Sequence, residues 1–130
     1  MRNAIVLLYN MADERAKQIE ALAERHAITA RVVDPAELNQ TLGALSGLEE
    51  MTDKRYEGSH FTDEMLVMAN FKKGMLNRFL DSFRDAGIPS VPLKAMLTET
   101  NSRWDSLALH EELKCEYEYF KQMQAGRKNG

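Results

Sequence analysis

The residues best placed to do chemistry lie in Pro92 to Trp104, PLKAMLTETNSRW. Lys94 interrupts an apolar run there. Thr98, Thr100 and Asn101 follow, where that run meets the start of a helical pattern. Such a junction presents free backbone N–H groups and the positive end of a helix dipole, which suits an anion. Trp104 adds a flat wall. Asn10 and Asp34 end two other apolar runs. A ligand site built at strand ends would therefore draw on Asn10, Asp34, Lys94, Thr98, Thr100, Asn101 and Trp104. The plainer reading of the same residues is that Thr100, Asn101 and Ser102 cap a helix while Trp104 fills core.

Other reactive types are scattered. His26, His60 and His110 share no zinc-ligand spacing with each other, with a carboxylate or with Cys115. His26 reads as the dipole partner of a helix end. His110 and Cys115 are five apart on one helical pattern, which turns them to different faces. Glu49, Glu50, Asp53, Glu57, Asp63 and Glu64 form an acidic stretch without calcium-loop spacing. Gly43-Ala-Leu-Ser-Gly47 lacks the Lys-Ser/Thr ending of a phosphate loop and reads as a packed turn. The expectation is no catalytic set, no metal site and no cofactor.

Composition narrows the class. A chain of 130 residues is long enough for one domain with its own core. With 17 basic and 20 acidic residues the net charge is −3, which disfavours a phosphate backbone as partner, so no nucleic acid is expected. RNA recognition would also need aromatics on exposed strand faces, and Tyr9 is the one aromatic in the apolar runs AIVLLY and MLVMA. Cys115 is alone, which favours a reducing compartment. The first apolar run, Ala4 to Tyr9, is too short for a signal-peptide core or a membrane span. The chain therefore reads as cytoplasmic, with no membrane partner.

The elements that must position these residues follow from periodicity. Ala4 to Tyr9 and Met65 to Ala69 are apolar at every position, the pattern of strands covered on both faces. Thr29 to Val33 and Val91 to Leu97 read as two further strands. Pro92 suits an edge. Helices are expected from Asp13 to Ala27, over Lys72 to Ala86 with Gly87 as C-cap, and over Ser102 to Gln124 with a capping box at Ser102 and Asp105. Asp34 as N-cap and Pro35 at N1 open a short helix within Pro35 to Leu48. Glu49 to Thr62 is a surface loop. Residues 1–124 form a single domain, residues 35–62 a long connector within it, and residues 125–130 a frayed tail.

A repeat appears at an offset of sixty: IVLLYN (5–10) lies over MLVMAN (65–70), and Ile28 over Ile88. The fold class is α/β (α+β). The expected architecture is a ferredoxin-like βαβ-βαβ sandwich with an inserted helical or loop segment and an extra C-terminal helix. A four-stranded doubly wound sheet is the alternative. Both apolar central strands need cover on two faces. The last helix, the Pro35–Leu48 segment or a second subunit would supply the second cover.

The runs IVLLYNM, VVDP, LGALSG, FTDEMLVM and PLKAMLTETNSRWDSLALHEEL resemble those of a bacterial family, domain of unknown function 3783, found mainly in Firmicutes. The resemblance spans Ile5 to about Tyr117. It implies a bacterial cytoplasmic setting and no assigned activity. The preferred functional expectation is a small binding or regulatory module that acts through a protein partner, a homodimer or a small ligand. The alternative is a small enzyme or binding protein for an anionic metabolite.

Overall fold

The apolar runs form strands, and the chain alternates them with helices throughout. The computed structural model describes residues 3–129, with side chains through residue 125. The order is β1 (Ile5–Tyr9), α1 (Asp13–Arg25), β2 (Thr29–Val32), a 3₁₀ turn (Pro35–Glu37), α2 (Leu42–Leu45), β3 (Met65–Ala69), α3 (Met75–Asp85), β4 (Leu93–Met96), a 3₁₀ turn (Asn101–Arg103) and α4 (Ser106–Asn129). These make one sheet in the order β2-β1-β3-β4. The fully apolar strands β1 and β3 are central. The fold is α+β, as the sequence implies.

Pairing refines the expected sandwich. β1 pairs with β2 in parallel, β3 with β4 in parallel, and β1 with β3 antiparallel. In the split βαβ units of a ferredoxin-like sandwich the two parallel strands are separated by a third. Here they are direct neighbours, so each half is an ordinary βαβ unit. The sheet is mixed, and in that it also departs from the doubly wound alternative.

Alternation in the strands sorts the core into two layers. Val6, Leu8, Leu66 and Met68 point to α1 and α3 and pack with Ile19, Leu22, Phe79 and Phe83. Leu7, Tyr9, Met65 and Val67 point to the opposite face and pack with Leu38, Leu42, Leu45 and Leu109. The second cover thus comes from the Pro35–Leu45 segment and α4 of the same chain. Tyr9 is buried beneath it and offers no stacking platform.

The repeat has a geometric counterpart. Leu7 and Val67 stand opposite each other across the β1–β3 ladder, and they are also repeat mates. The two halves are therefore related by a local two-fold axis through that pair. Asn10 (φ 60°) and Asn70 (φ 63°) both turn the chain sharply after a central strand. Asn10 Nδ2 donates to the Phe61 and Asp63 carbonyls ahead of β3, and Asn70 Nδ2 donates to the Asn3 carbonyl ahead of β1.

Beyond Ile28 and Ile88 the offset grows. Ile5 pairs with Thr29 while Met65 pairs with Leu93, so β2 and β4 are 93 − 29 = 64 residues apart. The new offset reaches further. Thr41 and Asp105 are both N-caps, bonding the N–H groups of Ala44 and Ala108, and they form a bridge with each other. Part of the connector thus belongs to the repeat: TLGAL (41–45) is the structural mate of DSLAL (105–109). Gly43 lets α2 approach the Ser102 carbonyl, where a Cβ would sit at 3.2 Å. Gly47 (φ 82°) ends α2 after one turn, whereas α4 runs on to Asn129. Of the expected 125–130 tail, the backbone through Asn129 is helical, and Gly130 lies outside the described residues. The capping box expected at Ser102 is replaced by Asp105 alone, because Asn101–Arg103 forms a separate 3₁₀ turn.

The helix ends carry a test. Ile28 N–H bonds the Ala23 carbonyl, and Ile88 N–H bonds that of Phe83. Each is a Schellman closure needing a left-handed residue before it. In α3 that residue is Gly87 (φ 71°), but in α1 it is Ala27 (φ 59°). Left-handed alanine is strained, so Ala27→Gly is expected to stabilise the fold by about 0.5–1 kcal/mol, after the entropy glycine loses. A urea midpoint that fails to rise would refute this.

Candidate functional site

The residues nominated from sequence do not converge. In a sheet whose halves meet antiparallel, the carboxyl ends of β1 and β2 lie opposite those of β3 and β4. Asn10 and Asp34 are at one end, and Thr98, Thr100 and Asn101 are at the other. Five-residue strands hold these ends roughly 16 Å apart. Each residue also has local work. Asp34 Oδ1 accepts from Ala36 N–H while Glu37 accepts from Asp34 N–H, a capping box with Pro35 at its start. Asn101 Oδ1 accepts from Thr98 N–H, Thr98 Oγ1 accepts from Asn101 N–H, and Asn101 Nδ2 donates to the Met96 carbonyl. Lys94 points to the α1–α3 face and donates to the Val91 carbonyl at 2.9 Å. Trp104 packs half-buried in the second layer, its carbonyl accepting from Leu42 N–H. Thr100 is exposed at the lead-in to the 3₁₀ turn and makes no capping bond. An anion site needing Lys94 and Asn101 together is not assembled.

A different cluster forms where β1 ends and β3 begins. Asp63 Oδ2 lies 2.8 Å from His110 Nε2 and 3.2 Å from Lys114 Nζ. The His110 hydrogen bond, then that of Lys114, hold the Asp63 carboxyl below the usual carboxylate range. Phe61 stacks flat on the His110 ring, centroids 3.8 Å apart. Because the Asp63 carbonyl also accepts from Asn10, this residue ties α4 to the turn after β1. Beside it, Arg15 pairs with Glu64 at 2.7 Å and binds α1 to the same lead-in. Two members of the acidic stretch are thus neutralised by cations. Among the described residues, no three His, Cys, Asp or Glu side chains stand close enough to hold a metal ion. His110 and Cys115 border one 370 Å³ depression, although five residues separate them, and His110 Nε2 is engaged by Asp63.

The long connector is anchored as well. The buried amide of Gln40 bonds Thr52 and the Lys54 carbonyl, and Tyr56 N–H bonds the Ala36 carbonyl. Tyr56 and Phe61 then pack on the second layer.

The third feature is the reach of α4. The Tyr9 hydroxyl meets Ser106 Oγ at 2.7 Å, so the helix starts over β1. Leu113 reaches β4, where it faces Pro92 and Leu93 across a 160 Å³ cleft. Two strand spacings, about 10 Å, separate β1 from β4. Seven residues of helix rise the same distance. From Cys115 onward every described side chain is exposed. Glu116, Tyr117 and Phe120 border the same cleft, and the turns beyond them to Asn129, about 13 Å of helix, overhang the β4 edge. On the 100° helical wheel, Phe120 falls in line with Ser106, Leu109 and Leu113, the residues that face the body. Tyr117 and Met123 flank it and are exposed too, and Tyr119 is exposed on a different side of the helix.

These features define an α+β domain of two βαβ repeats whose second repeat ends in a long helix with an exposed distal half. Residues 64–120 match the domain of unknown function DUF3783. The match runs from the lead-in of β3 to Phe120, shorter than the near-complete span expected from sequence. No curated protein and no solved structure matches the chain. Among the described residues no helix is long and apolar enough to cross a membrane.

Proposed function

We propose that this chain is a bacterial cytoplasmic binding or regulatory module, and that a protein partner docks on the distal half of α4. The observation that carries this is the unequal repeat. The first half covers its share of the sheet with a single turn, Leu42–Leu45, and stops at Gly47. The second half continues into α4, 24 residues long, which carries Tyr117 and Phe120 close to the line of its body-facing residues, at the rim of the cleft over Pro92 and Leu93, and leaves both exposed. Exposed aromatics in a row are unfavourable in water unless something covers them. The free thiol of Cys115 agrees with a reducing compartment. The positions of Lys94 and Asn101 lend no support to an enzyme or a binder of anionic metabolites.

The test is a photocrosslinking residue in place of Phe120 within the full chain, expressed in its native cell. One adduct of discrete mass is expected from position 120. None is expected from Lys17, on the exposed side of α1. The absence of any adduct at 120 removes the reading.

A further inference from the structure

Resting on that reading, we infer that the partner is a second copy of this chain, joined by antiparallel pairing of β4 with its counterpart about a two-fold axis. Three observations point the same way. First, β4 is an edge strand that has no neighbour on its outer side among the described residues. Its one charged residue does not guard that edge, because Lys94 is drawn back onto the Val91 carbonyl. Edge strands left in this state are templates for another strand.

Second, the two ends of β4 are complementary under a two-fold. At its start, Pro92 and Leu93 lie beneath α4, whose stripe runs on outward. At its other end, Ala95 and Leu97 face the α4 side but are only half-buried. Antiparallel pairing sets the start of one β4 beside the end of the other. Each overhang then crosses the Ala95–Leu97 end of its partner, and the two α4 helices lie side by side on one face of an eight-stranded sheet. A single added strand would occupy only about 5 Å of the roughly 13 Å overhang, whereas a second copy uses its full length.

Third, the area is sufficient. Tyr117, Phe120 and Met123 are 39%, 64% and 44% exposed. At roughly 200 Å² for a large side chain, two copies would bury roughly 600 Å² from these residues alone. The strand ladder and the Ala95–Leu97 contacts carry the total past the ~1,000 Å² of a specific interface. The same antiparallel device already joins β1 to β3 inside the chain.

Sedimentation equilibrium of the purified full chain, between about 1 and 100 μM, decides it. A dimer is expected. Phe120→Glu, and separately Met123→Glu, change exposed residues and should leave the circular dichroism spectrum intact. Each should weaken self-association by about 30-fold or more, as loss of an interface hot spot does. Val32→Glu, on the exposed side of the opposite edge strand β2, should not. A wild-type monomer throughout the range overturns the inference. So does a dimer indifferent to both α4 variants, or one lost with Val32→Glu. If the wild type is monomeric while position 120 crosslinks to a different protein, the docking reading stands and only the identity of the occupant fails. If there is neither dimer nor crosslink, both fail.

Discussion

Phe79→Ala is expected to lower the free energy of unfolding by about 3–5 kcal/mol, the range for removing a fully buried aromatic ring. Phe79 has no exposed surface. It stands on α3 between the sheet and three rings that meet it edge-on: Phe83 at 5.3 Å, Phe71 at 6.0 Å and His26 at 6.3 Å. His26 is the C-cap of α1, so this one side chain joins both helices of the first layer. Its loss removes transfer energy, leaves a cavity, and breaks edge-to-face pairs that add further stabilisation. Small domains hold a total of only about 5–15 kcal/mol, so the variant should sit near the unfolding threshold at room temperature. The repeat mate on α1 is Ile19, equally buried but aliphatic, and Ile19→Val should cost only about 0.5–1.5 kcal/mol. Urea titrations of both variants check the contrast. Equal losses would mean that the rings around Phe79 do not couple α1 to α3.

Much of this was legible in the residues. The doubly apolar runs had to be central strands, because no polar face remained for water. Asp34-Pro35 announced a capped turn, and the matched Asn10 and Asn70 announced matched left-handed turns. The repeat was visible for strand and helix, but its second stage was hidden. Pro89 to Pro92 add four residues before β4 and shift the offset from sixty to sixty-four. The mates TLGAL and DSLAL share only the first-turn pair Ala-Leu, since threonine and aspartate both cap well with different letters. The misplaced anion site has a topological cause. Strand-end reasoning holds where strands share a direction, and here the halves meet antiparallel, so polar residues that follow β1 and β4 are sent to opposite ends. The Asp63 latch left half a signal: His110 and Lys114 are four apart and share a helix face. Their carboxylate partner is a tertiary fact, set by how Asn10 holds the lead-in to β3.

The second large effect is expected in alkali. Tyr9 is 1% exposed, its hydroxyl is hydrogen-bonded to the fully buried Ser106 Oγ, and burial pushes its phenol well above the ordinary value. The folded chain therefore keeps this proton after the unfolded chain, whose phenol titrates near 10, has released it. Stability from the protonated phenol is complete below about pH 10 and is lost as pH rises beyond it, by up to about 1.4 kcal/mol per pH unit. Tyr9→Phe removes that slope. At neutral pH it should cost about 1–2 kcal/mol, because Ser106 is left buried without a partner. The two stability curves should therefore converge about one pH unit above 10 and cross beyond it. Urea unfolding of both proteins from neutral to strongly alkaline pH measures this directly. Curves that stay parallel would mean that water reaches the phenol beneath the first turn of α4. That turn is also the anchor from which the rest of the helix is aimed past β4. A tight Tyr9–Ser106 contact fixes the direction of the overhang, and in Tyr9→Phe the self-association measured by sedimentation should weaken only as far as the anchor loosens.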